Sequence, residues 1–417
     1  MVIRRDNYLN QLIDSRHNGL IKIVTGLRRS GKSYLLFKLF YDYLKDNGVD
    51  EGHVIKIDLE DRRNVELRDP DALLSHIDSK MIDDEMYYIL LDEVQNVPEF
   101  EDVLNSYLKV ANADIYVTGS NSKFLSTDII TEFRGRGDQI HVYPLSFSEF
   151  MSVNENHPSD AWRDYYTYGG LPHVLSLTTP KKKCDYLKKL YSAVFVQDIV
   201  ERYNLRGETE LKELMLIVAS AIGSPTNPNK LANTFKSIKK VSLSNKTIDR
   251  YLSHFSESFL TEKAIRYDIK GKRYINTLSK YYFTDIGIRN AILDFRQQEE
   301  NHIMENIIYN ELKIRGFNVD VGLVEHRTTD KNGKTIRKQY EVDFVANQGG
   351  QRYYIQSAFV MPTDAKERQE SASLLNINDS FKKIIIVKEH IMPKCNDAGI
   401  VTIGLFDFLL KPELMNW

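Results

Sequence analysis

Cysteine is scarce in this sequence, which contains Cys184 and Cys395 and no others. Two cysteines exclude a disulfide framework and a cysteine-based zinc site, and they suit a reducing compartment. Long apolar runs are also missing, so no segment approaches the roughly 18–20 residues that a membrane span needs. The first ten residues are polar and charged, unlike the start of a secretory signal peptide. We therefore expect a cytoplasmic protein that has no membrane partner.

An excess of charge of one sign is missing as well, because 56 Lys and Arg face 58 Asp and Glu, a net charge of −2. The charge of the whole chain therefore does not argue for a nucleic-acid partner, although a local cluster could. The hydrophobic fraction of 42% is normal for a globular core and excludes wholesale disorder. At roughly 100–200 residues per domain, the 417 residues predict two to four domains.

Five short apolar runs in the first part of the chain are typical of buried strands, and span residues 20–25, 54–59, 86–91, 115–118 and 139–143. They alternate with helix-length segments, which predicts an α/β fold with a parallel sheet covered by helices on both faces. We expect this α/β domain at 1–150, a helical lid or linker at 151–207, a winged helix at 208–283 and a second α/β domain at 284–417.

The first predicted strand runs into Gly26-Leu-Arg-Arg-Ser-Gly-Lys-Ser33, which fits the P-loop pattern G-x-x-x-x-G-K-[ST] at every fixed position. A strand before the loop and an apolar helical pattern after it are the context that this motif requires. In such a loop, backbone N–H groups surround phosphate oxygens, Lys32 reaches the β- and γ-phosphates, and Ser33 binds Mg²⁺. The predicted ATP-binding residues here are Gly26, Arg28, Arg29, Ser30, Gly31, Lys32, Ser33 and Tyr34.

Two adjacent acids, Asp92 and Glu93, follow the strand at 86–91. We assign Asp92 to the Mg²⁺ ion, together with Ser33, and Glu93 to the attacking water, which it would orient or deprotonate. Lys32 and Glu93 are therefore predicted catalytic residues. Glu93 is what extends a prediction of ATP binding to a prediction of ATP hydrolysis.

Polar residues also end the strand at 115–118. A hydroxyl or amide on the strand beside the P-loop strand can contact the γ-phosphate, and the candidates are Thr118, Ser120 and Asn121. Further along, Arg134 and Arg136 are candidate catalytic arginines that a neighbouring subunit would supply to the transferring phosphoryl group. An arginine acting in this way implies a homo-oligomer, and the alternative is two solvated loop arginines.

The chain resembles the AAA+-like ATPases of bacteria and archaea that join an ATPase domain to a C-terminal domain of unknown function. The resemblance extends over nearly the whole chain, and an ordered set of motifs carries it. In related AAA+ proteins the position near Ser120 and Asn121 senses the γ-phosphate, and an arginine like Arg134 or Arg136 acts across a subunit interface. The motifs are the P-loop with its double arginine, LLDEVQ at 90–95, TGSNSKFLS at 118–126, FRGRG at 133–137, PLSFSEF at 144–150, YGGLP at 168–172, YYFTDIG at 281–287 and EVDFVA at 341–346.

Residues 208–283 show the order helix, short helix, helix and hairpin that is typical of a winged helix. Within residues 230–280, twelve Lys and Arg face four Asp and Glu, a local charge of +8. Concentrated positive charge on such a module predicts binding to the DNA backbone, although winged helices also serve as protein-contact modules. The predicted DNA contacts are Lys239, Lys240, Lys246, Arg250, Lys270, Lys272 and Arg273.

The C-terminal part, residues 301–417, suggests a restriction-endonuclease-like fold of the PD-(D/E)xK type. Asp343 suits the strand acid of that site, and either Glu305 or Glu311 suits the helical acid. Gln356 could replace the glutamate of the next strand, but the lysine position holds Ala358. Alanine cannot position water or balance charge, so we expect a degenerate nuclease-like domain without nuclease activity.

These features predict a Mg²⁺-dependent ATPase of AAA+ type that binds double-stranded or branched DNA and couples ATP hydrolysis to rearrangement of its domains or of the DNA. An alternative is a nucleotide-gated scaffold or regulator that binds a protein partner and processes no DNA. A third hypothesis, an active nuclease with an ATPase switch, is disfavoured by Ala358.

Overall fold

The structure is a computed structural model, which describes residues 2–119, 133, 135–154, 156–205, 207–239, 243–329, 335–361 and 363–416. The chain divides into two compact units. The first comprises Met1–Leu145 with Leu171–His173 and Glu257–Phe259, and the second comprises Ser146–Gly170, Val174–Ser256 and Leu260–Trp417. The finer four-part division stays a prediction.

A single parallel sheet forms the centre of the first unit. Its strands are β1 (Ile21–Thr25), β2 (Val54–Asp58), β3 (Tyr87–Asp92), β4 (Ala113–Thr118) and β5 (Gly137–His141). Their order across the sheet is β2-β3-β4-β1-β5, with every neighbouring pair parallel. All five predicted strands are thus confirmed.

The two faces of this sheet pack into separate cores, because successive side chains of a strand point to opposite faces. Ile23 and Leu91 belong to one buried cluster, whereas their chain neighbours Val24 and Leu90 belong to the other. The helices that cover the faces are Asp6–Asp14, a helical run at 32–46 that includes a π-helical turn at Leu35–Phe40, Pro70–Lys80 and Phe100–Tyr107, with 3₁₀ turns at Glu51–His53, Arg62–Arg68 and Val94–Asn96. A parallel sheet covered on both faces is the predicted α/β fold.

The second unit contains an eight-stranded mixed sheet. Its strands are β6 (Thr261–Asp268), β7 (Arg273–Phe283), β8 (Asn318–Thr329), β9 (Thr335–Gln348), β10 (Gln351–Ala358), β11 (Lys382–Val387), β12 (Lys394–Cys395) and β13 (Ile400–Gly404). They lie in the order β12-β13-β11-β10-β9-β8-β6-β7. The hairpin β6–β7 was predicted as the wing, yet β6 pairs in parallel with β8, so one sheet continues across the predicted domain boundary at 283.

Helices of the second unit precede this sheet, pack on it and follow it. They span Phe147–Met151, Pro158–Tyr168, Pro180–Leu190, Gln197–Arg202, Glu208–Ser220, Pro228–Lys239, Asn245–Glu257, Ile286–Ile292, Glu300–Ile314, Asp364–Leu375 and Leu405–Leu410; further helical turns are Pro172–Leu175, Tyr191–Val196 and Pro412–Asn416. The predicted order of three helices before the hairpin is present at 208–257. In the part of the chain that the structure describes, no helix has the length and apolarity needed to cross a membrane.

Candidate functional site

The loop between β1 and the helical run at 32–46 has a backbone that requires glycine at two positions. Gly26 has φ 136°, and a Cβ atom there would lie 2.1 Å from the carbonyl oxygen of Val142. Gly31 has φ 101° and directly precedes Lys32, where the helix begins. Arg29, inside the loop, has φ 67°. The fixed glycines of the motif therefore let the loop fold tightly at a helix N-terminus, where backbone N–H groups can bind phosphate.

Lys32 folds back onto this loop. Its side chain is buried, and Nζ donates to the carbonyl oxygens of Gly26 at 3.1 Å and Leu27 at 3.2 Å. Burial lowers the pKa of Lys32, and the negative charges of Glu93 and Asp92 oppose that shift. The ammonium group thus lies within electrostatic reach of both acids, and its N–H groups can exchange backbone carbonyls for phosphate oxygens.

Asp92 ends β3 and is 4% exposed. Its carboxylate accepts a hydrogen bond from the hydroxyl of Thr118. Burial raises the pKa of Asp92, and the hydroxyls of Thr118 and Ser33 oppose the shift. The two predicted Mg²⁺ ligands, Ser33 and Asp92, therefore lie near each other, and a hydroxyl beside a carboxylate is a donor set that suits Mg²⁺.

Thr118 links the two acids. Besides donating to Asp92, its Oγ1 accepts a hydrogen bond from the backbone N–H of Glu93 at 2.9 Å. Thr118 ends β4, which lies between β3 and the P-loop strand β1. Because Ser120 and Asn121 lie outside the described residues, the choice of the residue that contacts the γ-phosphate stays a prediction.

Glu93 occupies an uncommon backbone conformation for a residue with a side chain, with φ 51°. Its carboxylate accepts a hydrogen bond from Nε2 of Gln95. Oε1 of the same Gln95 amide is buried and meets no hydrogen-bond donor among the residues that the structure describes. Gln95 therefore contacts the predicted catalytic acid, a role that sequence analysis did not assign to the LLDEVQ motif.

Arg5 supports the P-loop from the N-terminal segment. Its side chain is buried, with Nη1 donating to the Ser30 carbonyl oxygen at 3.0 Å and Nη2 to the Tyr143 carbonyl oxygen at 2.7 Å. It thereby joins the loop backbone to the segment that follows β5. Sequence analysis missed Arg5 because no motif surrounds it and its partners are backbone atoms far along the chain.

Among the remaining predicted ATP-site residues, Ser30 is buried, and the others are at least partly exposed or lie outside the described part of the chain. Arg28 pairs with Glu60, their Nη2 and Oε1 atoms being 2.9 Å apart, and Tyr34 is 37% exposed. The side chain of Arg136 is exposed, while its carbonyl oxygen accepts a hydrogen bond from β1. Arg134 is among the residues that the structure does not describe, so the predicted arginine acting in trans stays a prediction.

Several predicted DNA contacts are exposed on the second unit. Lys246 and Arg250 lie on the helix Asn245–Glu257, whose first turn is capped because Oγ of Ser244 accepts a hydrogen bond from the Thr247 N–H at 3.1 Å. The exposed residues around the turn between β6 and β7 are Lys270, Lys272 and Arg273. Lys240 and the side chain of Lys239 lie outside the described part of the chain.

The local charge of +8 overstates the positive charge at the surface. Lys280 and Arg266 both contribute to that count, but their side chains are 3% and 13% exposed and lie against carboxylates. The sequence contains no local signal that distinguishes these two buried cations from the exposed lysines around them.

A second cluster of polar residues lines a cavity of about 630 Å³ in the second unit. The predicted strand acid Asp343, the helical acid Glu305 and Gln356 all line it, with Ala358 beside them. The other candidate, Glu311, instead pairs with Arg315, the residue directly after its helix. The fold thus brings together the predicted nuclease-like residues.

A lysine that sequence analysis did not connect with this cluster lies next to it. Nζ of Lys280, on β7, is 2.8 Å from Oε1 of Glu305 and 3.6 Å from Oδ1 of Asp343. The expected lysine position was on β10, two residues after Gln356, whereas Lys280 comes from an earlier hairpin. Only the packing of the sheet places it here.

Two parts of the chain match described protein families. A P-loop on the β1 strand of a five-stranded parallel sheet, with an acid pair after β3, defines an AAA+-type P-loop ATPase domain, and residues 18–151 match the family described as "AAA domain". Residues 159–299 match a "Domain of unknown function (DUF8612)".

Two relatives match most of the length of this chain. An uncharacterized protein of Haemophilus influenzae is 34% identical over 417 residues, which cover 98% of this chain and 99% of that protein. An uncharacterized protein of Methanocaldococcus jannaschii is 28% identical over 403 residues, covering 89% and 86% of the two chains. The chain belongs to the family of AAA+-like P-loop ATPases that it shares with the Haemophilus protein.

Similarity to solved structures is weak. The structure of the Aeropyrum pernix ORC1 protein in complex with DNA shares 13% identity and a TM-score of 0.27, over 70% of this chain and 92% of that one. The Vibrio cholerae protein VC1899 matches 95% of this chain and 97% of its own, with 12% identity and a TM-score of 0.21. Scores of this size carry no functional argument.

Proposed function

We propose that this protein binds ATP with Mg²⁺ at the P-loop and hydrolyses it. The observation that carries the proposal is the contact network at the carboxyl edge of the sheet, where Thr118 is hydrogen-bonded to Asp92 and to the backbone of Glu93, and Ser33 lies near Asp92. Lys32 would donate to phosphate oxygens, Ser33 and Asp92 would hold the metal ion, and Glu93 would orient or deprotonate water. Mg²⁺, when bound, neutralises charge on the phosphates.

We further propose that hydrolysis is coupled to binding of double-stranded or branched DNA by the segment 208–283. Support comes from the capped helix that carries Lys246 and Arg250 and from the exposed bases at the β6–β7 turn. Phosphate contacts require exposed cations, and these residues provide them. The predicted homo-oligomer, with Arg134 or Arg136 acting in trans, completes the proposal.

The first experiment measures ATP hydrolysis by the wild type and by Glu93→Gln, each with and without double-stranded DNA. We expect the substitution to lower kcat about 10²–10⁴-fold, the contribution typical of a positioned general base, while ATP still binds. We also expect DNA to stimulate the wild type and not the variant.

Glu99→Gln is a matched control, because Glu99 is an exposed acid with the same φ of 51° at the start of the next helix. It should retain wild-type turnover. Equal turnover of Glu93→Gln and wild type would contradict the catalytic role of Glu93. An ATP hydrolysis rate that DNA does not change would instead support the nucleotide-gated scaffold. The burial of Lys280 and Arg266 already favours this alternative, because it reduces the basic surface.

DNA affinity is expected to fall as salt rises, because cations on the protein release counterions from the phosphate backbone. Replacing both Lys246 and Arg250 with alanine should reduce the slope of log K against log salt by about 0.9 for each phosphate that the variant no longer neutralises. Fluorescence anisotropy with a duplex at several salt concentrations measures this slope. The double variant Lys181→Ala/Lys182→Ala, at two exposed lysines of another helix, is the control. Affinity that does not respond to salt would contradict DNA binding through this surface.

Gln95→Leu is expected to raise basal kcat by up to about tenfold without changing KM. The hydrogen bond from Gln95 restrains the Glu93 carboxylate. A hydrogen bond contributes about 0.5–1.5 kcal/mol net, and a barrier lowered by that amount raises the rate by at most about tenfold. Stability should not fall, because leucine also removes the buried Oε1 that lacks a donor in the described chain. A decrease in kcat would show that Gln95 supports Glu93 rather than restraining it.

A further inference from the structure

Lys280 is a buried cation that lies among three carboxylates of the second unit. Its Nζ is 2.8 Å from Oε1 of Glu305, 2.9 Å from Oε1 of Glu341 and 3.6 Å from Oδ1 of Asp343. The Lys280 side chain is 3% exposed. Two of these acids come from β9 and one from the helix Glu300–Ile314, so the ammonium group ties three elements together.

Other protein groups hold two of these carboxylates, Glu305 and Asp343, in place. The Tyr282 hydroxyl donates to Oε1 of Glu305 at 2.7 Å. The backbone N–H of Ser357 donates to Oδ2 of Asp343 at 2.8 Å. One oxygen of Glu305 and one oxygen of Asp343 thus have a protein donor in addition to Lys280.

The position of the ammonium group conflicts with a divalent cation at the same oxygens. Mg²⁺ and Mn²⁺ bind carboxylate oxygens at about 2.0–2.2 Å, so an ion shared by Glu305 and Asp343 would lie within a few ångströms of Nζ. Two cations at that separation repel each other, and the repulsion is stronger at a largely buried site than in bulk water. Burial alone lowers the pKa of Lys280, but the carboxylates of Glu305, Asp343 and Glu341 together raise it, so the group keeps its charge.

We propose that Lys280 is the resident cation of this cluster and fills the position that a divalent metal ion would otherwise take. The cluster then supports the junction of β7, β9 and the helix Glu300–Ile314 as an internal ion network. In this arrangement Lys280 is not a substitute for the lysine missing at Ala358, because it binds the acids that a metal ion would need. Removing the ammonium group should therefore create a divalent-cation site where the wild type has none.

The test is a titration of full-length protein with Mn²⁺ in the absence of nucleotide. Electron paramagnetic resonance measures the concentration of free Mn²⁺ at each step. The wild type and Asp343→Asn should bind Mn²⁺ equally, since Asp343 contributes no metal site while Lys280 is present. Lys280→Met should gain one site, with a Kd of roughly 10⁻⁴–10⁻³ M as in weak carboxylate sites, and should lose it in Lys280→Met/Asp343→Asn. Lys280→Arg keeps a cation in the cluster and should gain no site.

A second readout uses stability. Mn²⁺ should raise the Tm of Lys280→Met and leave that of Lys280→Arg unchanged, because a ligand stabilises only the state that binds it. If Lys280→Met does not fold, the comparison of wild type with Asp343→Asn still tests whether the wild-type cluster binds Mn²⁺ through Asp343. Wild-type Mn²⁺ binding that weakens in Asp343→Asn would overturn the proposal. So would metal-dependent DNA cleavage by the wild type that Asp343→Asn abolishes, or a folded Lys280→Met that gains no site.

Discussion

Lys32→Ala is expected to weaken ATP binding about 10–100-fold and to lower hydrolysis by at least about 10²-fold. A hydrogen bond to a charged group contributes about 1.5–3 kcal/mol, and losing one donor to the transition-state charge typically costs 10²–10³ in rate. Lys32 is a buried cation of the P-loop, and its Nζ donates to two backbone carbonyl oxygens. When phosphate binds, these hydrogen bonds would be replaced by hydrogen bonds to phosphate oxygens. Isothermal titration calorimetry with a non-hydrolysed ATP analogue and a steady-state ATPase assay measure the two effects.

The stability of the nucleotide-free protein should change little in this variant. Burial disfavours the charge of Lys32 and lowers its pKa, and within the described part of the chain its ammonium group donates hydrogen bonds to carbonyl oxygens only. The Tm without ATP should therefore stay close to that of the wild type, while the rise in Tm on adding ATP should disappear. Lys38→Ala, at an exposed lysine of the same helical run, is the control and should keep both. Full ATP affinity in Lys32→Ala would contradict the assignment of the P-loop.

Lys22→Met is expected to destabilise the first unit by about 3–5 kcal/mol, the usual result of removing one partner of a buried ion pair. Lys22 is fully buried on the central strand β1, where its ammonium group contacts the carboxylate of Asp114 on β4. The Tyr116 hydroxyl also donates to Asp114 at 2.8 Å. Methionine has a similar volume but leaves Asp114 as a buried charge without its cation. Hydrogen exchange of the β1 and β4 amides reports the opening free energy of this unit.

The double variant Lys22→Met/Asp114→Leu separates the value of the pair from the penalty of breaking it. Replacing both charged groups by apolar side chains is often neutral or stabilising, so we expect most of the stability to be recovered. Lys38→Met is the surface control, since its pairing with Asp42 is exposed to solvent and screened. A double variant that is as unstable as Lys22→Met would mean that the cavity shape, rather than the unpaired charge, determines the destabilisation.

The predicted ATP site shows how much of a site can be predicted from local sequence. The P-loop and the acid pair are continuous motifs, each delivered by the end of a strand, and parallel strands bring their carboxyl ends to one edge of the sheet. That rule is enough to place Ser33 and Asp92 together, as the structure has them. It does not indicate that Thr118 bonds both Asp92 and the backbone of Glu93, since three polar residues compete at the end of β4 and the pattern does not distinguish them.

The buried lysines and arginines, in contrast, could not be predicted from local sequence. Lys22, Arg5, Arg266 and Lys280 have nothing in their neighbouring residues that separates them from exposed lysines and arginines. Their partners come from distant segments, and pairing is decided by which strands and helices pack together. For this reason the charge count at 230–280 overestimated the basic surface.

The sequence by itself determined the parallel α/β fold of the first unit, the P-loop and the acid pair, because strand periodicity and contiguous motifs are properties of the local chain. The tertiary structure alone decided that Gln95 contacts Glu93, that Arg5 supports the loop and that Glu305, not Glu311, meets Asp343. It also placed Lys280 among three carboxylates instead of on the surface. Contacts of this kind depend on distances between residues far apart in the chain, and burial determines how much a polar or charged group loses when it has no partner.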